Sequence, residues 1–193
     1  MASSGQLSGA LGPAVVFWTS LGLALAALGM SEASADALCA IDDRDREVCL
    51  ERPASRIAAL SPGATELTWA AGAGDQVVAV VAYSDYPPEA AEVVSVGSHT
   101  RVDLERLLAL SPDLVIGWVT GNPAEQLETL ESLGLPVFMI EPRTFEGVAS
   151  AVERLARLAG TEAVGNAEAT RFRDGIAELA QRHAEAEPVS VFY

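Results

Sequence analysis

From residue 54 onward, short, mainly apolar runs alternate with stretches whose apolar positions return every three or four residues. The runs at 56–60, 77–81, 114–117 and 135–140 are rich in Ile, Val and Leu, so each predicts a strand buried on both faces. Ser61-Pro62 ends the first of them, and residues 65–71 predict a helix that stops at Gly72. Asp103 is placed to cap a helix over 104–110, which Ser111-Pro112-Asp113 breaks; residues 123–133 predict a further helix, ended by Gly134. Paired prolines keep the stretch 83–88 out of regular structure. Strand, helix, strand, helix at this spacing implies a Rossmann-like α/β lobe: a parallel sheet flanked by helices on both faces, with right-handed crossovers.

The pattern then changes. Phe145, Val148, Val152, Leu155 and Leu158, followed by Ala163, Ala167, Phe172, Ile176 and Leu179, recur at helical spacing, with a break or kink at Gly160-Thr161. Glu187-Pro188 ends this long helical section, and residues 189–193 predict a new strand. A strand with no neighbour in sequence to pair with leads to the expectation that the chain is a fragment and that a second lobe is missing.

The N-terminus carries a different pattern. Residues 12–29 are almost wholly apolar and are followed by Ala33-Ser34-Ala35, a small-x-small sequence that predicts signal-peptidase cleavage after Ala35 and hence export to the periplasm. No basic side chain precedes the apolar run, so an uncleaved anchor is the alternative. Cys39 follows Leu38, which is not the small residue that a lipid attachment site has.

Cys39 and Cys49 lie symmetrically about Arg44, with the polar turn of Asp42, Asp43, Arg44 and Asp45 between two β-prone runs. A hairpin would set the two side chains opposite each other, and an exported chain meets an oxidising compartment. A disulfide is the favoured reading, with two buried free thiols as the alternative. Two cysteines without a nearby His make a poor metal site.

Composition narrows the class. The formal net charge of −15 repels phosphate backbones and argues against nucleic-acid binding. Ala71-Gly-Ala-Gly74 follows a helix rather than a strand, so it ends that helix and does not cradle a phosphate. Asp42 and Asp43 sit in a turn, Glu66 lies near a helix start where a carboxylate suits the dipole, and His183 lies in a charged helix tail. Nothing brings a nucleophile, a base and an orienting group together, so no catalysis is expected.

Several stretches, in order and at matching spacing, carry a resemblance: Arg56-Ile57 into Leu60-Ser61-Pro62, Thr65-Glu66, YSDYPP from Tyr83, Val96-Gly97, LERLLALSPDLVI from Leu104, and Trp118 with Gly121-Asn122. From about Cys39 to its end, the chain resembles the periplasmic substrate-binding proteins of ABC importers that take cobalamin (vitamin B12), siderophores or haem, and most of all the cobalamin binders. In that family a long connecting helix joins two α/β lobes. The resemblance implies that Tyr83 and Trp118 line the cleft against the corrin ring. It implies that Glu105 docks on arginines of the membrane permease subunits. His99 stands where the best-known cobalamin binders carry tryptophan, and it is placed to contact cobalt or a propionamide arm; it also raises a haem or ferric-siderophore ligand, with His99 as axial contact. A more distant alternative is an exported α/β enzyme or sensor domain with catalytic groups elsewhere. The implied organisation is a signal peptide over 1–35, a hairpin over 36–53, a ligand-binding lobe over 54–142, a connecting helix over 143–187 and the start of a further lobe at 188–193, in a monomer with little hinge motion.

Overall fold

The computed structural model describes residues 37–192. The signal peptide expected over 1–35 lies outside the described residues. Strands β1 (Leu38–Ile41) and β2 (Glu47–Leu50) form the N-terminal hairpin, with Cys39 directly opposite Cys49 and a disulfide joining them across a Cα–Cα distance of 4.1 Å. Its turn is built on Asp42, a buried carboxylate whose Oδ1 accepts from the backbone N–H groups of Arg44 and Arg46, each at 2.9 Å. An aspartate side chain that closes a turn onto its own backbone is a common device.

Four strands make one parallel sheet: β3 (Ile57–Ala59), β4 (Val77–Ala79), β7 (Leu114–Trp118) and β8 (Val137–Ile140), in the order β4-β3-β7-β8. Alternate residues of β3, β7 and β8 serve two separate cores. Ile57, Ala59, Leu114, Ile116, Phe138 and Ile140 face one way, and Ala58, Leu60, Val115, Val137 and Met139 face the other. Both faces are apolar, so the strands read as continuous runs in sequence.

Helices α1 (Pro62–Ala70) and α4 (Phe145–Ala159) cover the first face; α2 (Leu104–Ala109) and α3 (Ala124–Ser132) cover the second. The first helix begins three residues earlier than its apolar pattern suggests. Ser61 caps it, its Oγ accepting from the Ala64 N–H at 3.0 Å, and Pro62 sits in the first turn, where its missing N–H costs nothing. A small antiparallel pair, β5 (Gly97–Ser98) and β6 (Arg101–Val102), was not legible in the pattern.

The helical stretch after Thr144 folds as two helices. Gly160, at φ 71°, closes α4 in the left-handed conformation, and α5 (Glu162–Arg182) turns back along it. Gly165 packs on Ala156 near the turn, while Arg173 pairs with both Glu146 and Glu153. Thus α4 belongs to the lobe's core, with Val152, Leu155 and Leu158 buried, and α5 packs onto the same core through buried Ala169 and half-buried Phe172.

The strand expected at 189–193 is not formed over the described part of that stretch: residues 188–192 carry no ladder hydrogen bonds, and Val189, Val191 and Phe192 are exposed. A strand is stabilised by a pairing neighbour, and apolar β-branched residues alone do not make one.

Candidate functional site

The carboxyl ends of all four parallel strands open into one hollow of about 480 Å³. Ser61 follows β3, Tyr83 follows β4, Trp118 ends β7, and Ile140 with Pro142 closes β8; the first turns of α1 add Pro62, Gly63, Ala64 and Leu67. In the strand order, β3 is flanked by β4 on one side and β7 on the other, so the chain reverses its winding there. Open α/β sheets bind ligands at such a crevice.

The three residues expected against the ligand all line this hollow. Trp118 is half-buried at the end of β7, and His99 sits on the turn between β5 and β6. Their rings face each other with centroids 5.8 Å apart and planes inclined by 48°. The β5–β6 turn needs Gly97, which holds φ 114° and whose missing Cβ would run into the Arg101 carbonyl. Gln126 of α3 fixes the same hairpin, its Oε1 accepting from the Val102 N–H at 3.1 Å.

Tyr83 stands at the rim with 83% of its surface exposed and φ at 68°. The turn beneath it is anchored by Ser84, whose buried hydroxyl accepts from Thr65 Oγ1 at 3.0 Å. The anchor is therefore α1, and the tyrosine ring is free to meet whatever lies over the hollow.

The opposite rim is braced by charge and hydrogen bonds. Glu141, just after β8, accepts from the Thr120 backbone N–H at 3.1 Å and from its hydroxyl at 3.0 Å, which ties the loop after Trp118 to the neighbouring strand. Asp43 of the N-terminal hairpin accepts from the Glu141 N–H and pairs with Arg154 of α4 at 2.8 Å. Farther away, burial pushes the Glu131 carboxyl up, but hydrogen bonds from Arg46 and Arg44 outweigh it and leave the group below the usual carboxylate range.

What the hollow can do follows from its lining. The walls are mainly carbon, with one imidazole, one indole and one phenol. They suit a broad apolar ligand held by ring faces and a few polar groups. Glu105 is not part of it. That side chain is exposed in the first turn of α2, two residues after the capping Asp103. The contributions of Ser61, Pro62, Gly63, Ala64, Leu67, Ile140 and Pro142 were not foreseen: these are strand-end and helix-start residues whose role depends on the sheet order.

Residues 57–193 match the periplasmic binding protein family. The chain belongs to that family. The vitamin B12-binding protein of Vibrio cholerae is 40% identical to it over 141 residues, which is 73% of this chain and 51% of that protein. The vitamin B12-binding protein of Yersinia pestis is also 40% identical, over 139 residues, 72% of this chain and 50% of that one. Among solved structures, the periplasmic vitamin B12-binding protein of Vibrio cholerae superposes with a TM-score of 0.67 at 39% identity, covering 71% of this chain and 54% of that one. A periplasmic haem-binding protein from Pseudomonas aeruginosa superposes with a TM-score of 0.64 at 25% identity, covering 69% and 48%. This periplasmic binding protein therefore spans about half the length of the curated relatives it matches.

Proposed function

We propose that this periplasmic binding protein is the substrate-binding component of an ABC importer and captures cobalamin or a related corrinoid. The observation that carries the proposal is the convergence of Tyr83, His99 and Trp118 on one apolar hollow at the carboxyl ends of the sheet. A corrin is a wide, mostly apolar disc edged by amide arms. Ring faces bury such a disc at little entropic cost, and a phenol at the rim can meet an amide. The likeness to vitamin B12-binding proteins points the same way.

In this reading the N-terminal apolar run directs export to the periplasm, the protein acts as a monomer, and a second lobe forms the other wall of the cleft. No chemical step and no catalytic cofactor are involved; capture is reversible. Delivery to the permease uses exposed carboxylates, with Glu105 facing arginines of the membrane subunits. Such a contact orients the encounter and speeds it more than it tightens it. Reversing the charge at Glu105 is expected to lower uptake and to leave ligand affinity unchanged.

His99 supports a second reading, in which the ligand is haem or a ferric siderophore and the imidazole binds its metal. Calorimetric titration of the full-length protein with cyanocobalamin and, separately, with haemin distinguishes the two. The expected result is saturable heat with cyanocobalamin at one site. Saturable binding of haemin alone, with a Soret band lost in His99→Ala, would establish the second reading instead. Silence with both would return the protein to the class of sensor or enzyme lobes.

A further inference from the structure

The residues that hold the two rings facing each other are not themselves on the wall of the hollow. Asn122 is buried, with 7% of its surface exposed, and its side-chain amide spans three segments. Oδ1 accepts from the Trp118 backbone N–H at 2.7 Å. Nδ2 donates to the Leu60 carbonyl at 2.9 Å and to the His99 carbonyl at 2.7 Å. The ends of β3 and β7 and the turn carrying His99 thus share one amide. Its backbone N–H also donates to the Trp118 carbonyl at 3.0 Å. Only an amide does all of this: aspartate would set a carboxylate against two carbonyl oxygens, and serine lacks the second donor.

Gly121 acts beside it. A Cβ built there would fall inside the indole of Trp118, against its six-membered ring. Any other residue must displace the ring from the position it holds across the turn.

We propose that Gly121 and Asn122 are positioning residues of the ligand-binding wall: the amide of Asn122 fixes Trp118 and His99 relative to each other, and Gly121 leaves the space in which the indole lies. The proposal rests on the cobalamin reading for its functional consequence. Its structural consequence, the contact of two rings, does not. Support elsewhere in proteins comes from the strict demand that binding side chains be held to within a fraction of an ångström by residues behind them.

The test uses the full-length protein and cyanocobalamin. Asn122→Ala is expected to weaken binding about tenfold, since a buried hydrogen-bond network loses its centre. Gly121→Ala, which removes no hydrogen bond, is expected to weaken it by a similar factor through displacement of the indole alone. In a Trp118→Ala background each change should add less than about threefold, because the ring it positions is gone. Proton NMR reports the geometry directly: the cross-relaxation between the His99 and Trp118 rings should vanish in Asn122→Ala and weaken in Gly121→Ala. If Asn122→Ala does not fold, Gly121→Ala decides. Wild-type affinity and an intact ring contact in the folded variants would overturn the proposal, as would full additivity with Trp118→Ala. A wild-type protein that ignores cyanocobalamin would remove the cobalamin reading alone, and the ring contact would still decide the positioning role.

Discussion

Tyr83 holds φ at 68°, a conformation that a non-glycine residue with a bulky side chain adopts at a cost of about 1–2 kcal/mol. The ring is spent on the rim of the hollow and gains almost no burial in return. Tyr83→Gly should therefore separate stability from ligand affinity. Thermal or urea denaturation should show unchanged or slightly raised stability, by up to about 1 kcal/mol, while cyanocobalamin affinity should fall. A variant that loses stability would mean that the ring packs in the lobe and the strain argument fails. At this scale the chain was legible where chemistry is unusual. An exposed tyrosine in a proline-rich loop, a tryptophan closing an apolar run and a histidine in a polar turn stand out in a sequence. Ser61 did not stand out, because the serine and proline after β3 were read as the end of a strand rather than the cap and first turn of a helix. Asn122 was visible only as part of a motif; its three partners lie 4, 23 and 62 positions away, and nothing local names them.

Two elements carry constraints that can be tested separately from the site. The N-terminal hairpin is closed by Cys39 and Cys49, ten positions apart. A loop of that length limits the unfolded chain by about 3 kcal/mol. Reduction of the disulfide should lower the denaturation free energy by about that amount, and equal denaturation midpoints with and without reductant would show that the bridge contributes nothing. Hairpin and register were legible because the two cysteines sit symmetrically about a polar turn. The second constraint joins α4 to α5. Hydrogen bonds from Arg173 hold the carboxyls of Glu146 and Glu153 below the usual carboxylate range. Groups with depressed folded values stabilise the fold above their unfolded pKa and lose that contribution as pH falls through the folded value. The docking of α5 should thus be full at neutral pH and decline below about pH 4.5, the ordinary glutamate value, by a small amount because the pairs are solvent-screened. Amide protection along α5, taken relative to the intrinsic exchange rate at each pH, would record this; in Arg173→Ala the protection should be lower at pH 7 and vary less between pH 7 and pH 4. No pH dependence in the wild type would sink the clamp. A break or kink at Gly160-Thr161 was legible, but only within one long helical section; that the chain turns back there depends on the distant Glu146–Arg173 and Gly165–Ala156 contacts and leaves no local mark.

For the whole molecule, the layered α/β arrangement was readable because both faces of the sheet are covered: the strands are continuous apolar runs, and the helices between them show one apolar stripe each. The order β4-β3-β7-β8 was not readable, since pairing partners are chosen by packing of the finished layers and not by any one strand. That order matters most for function, because it creates the crevice beside β3 where Tyr83, His99 and Trp118 meet. The acidic surface, at a formal net charge of −15, suits a ligand recognised by apolar faces and amides rather than by phosphate. Whether this wall of aromatic rings receives a corrinoid can be read by titrating cyanocobalamin with the full-length protein and with its Trp118→Ala variant, following the corrin absorbance. A saturable change at one ligand per protein is expected, with a dissociation constant about 30-fold higher in the variant, the loss of about 2 kcal/mol expected for a buried aromatic anchor. Saturable binding that is equally tight in both proteins would contradict a corrinoid seated on this wall.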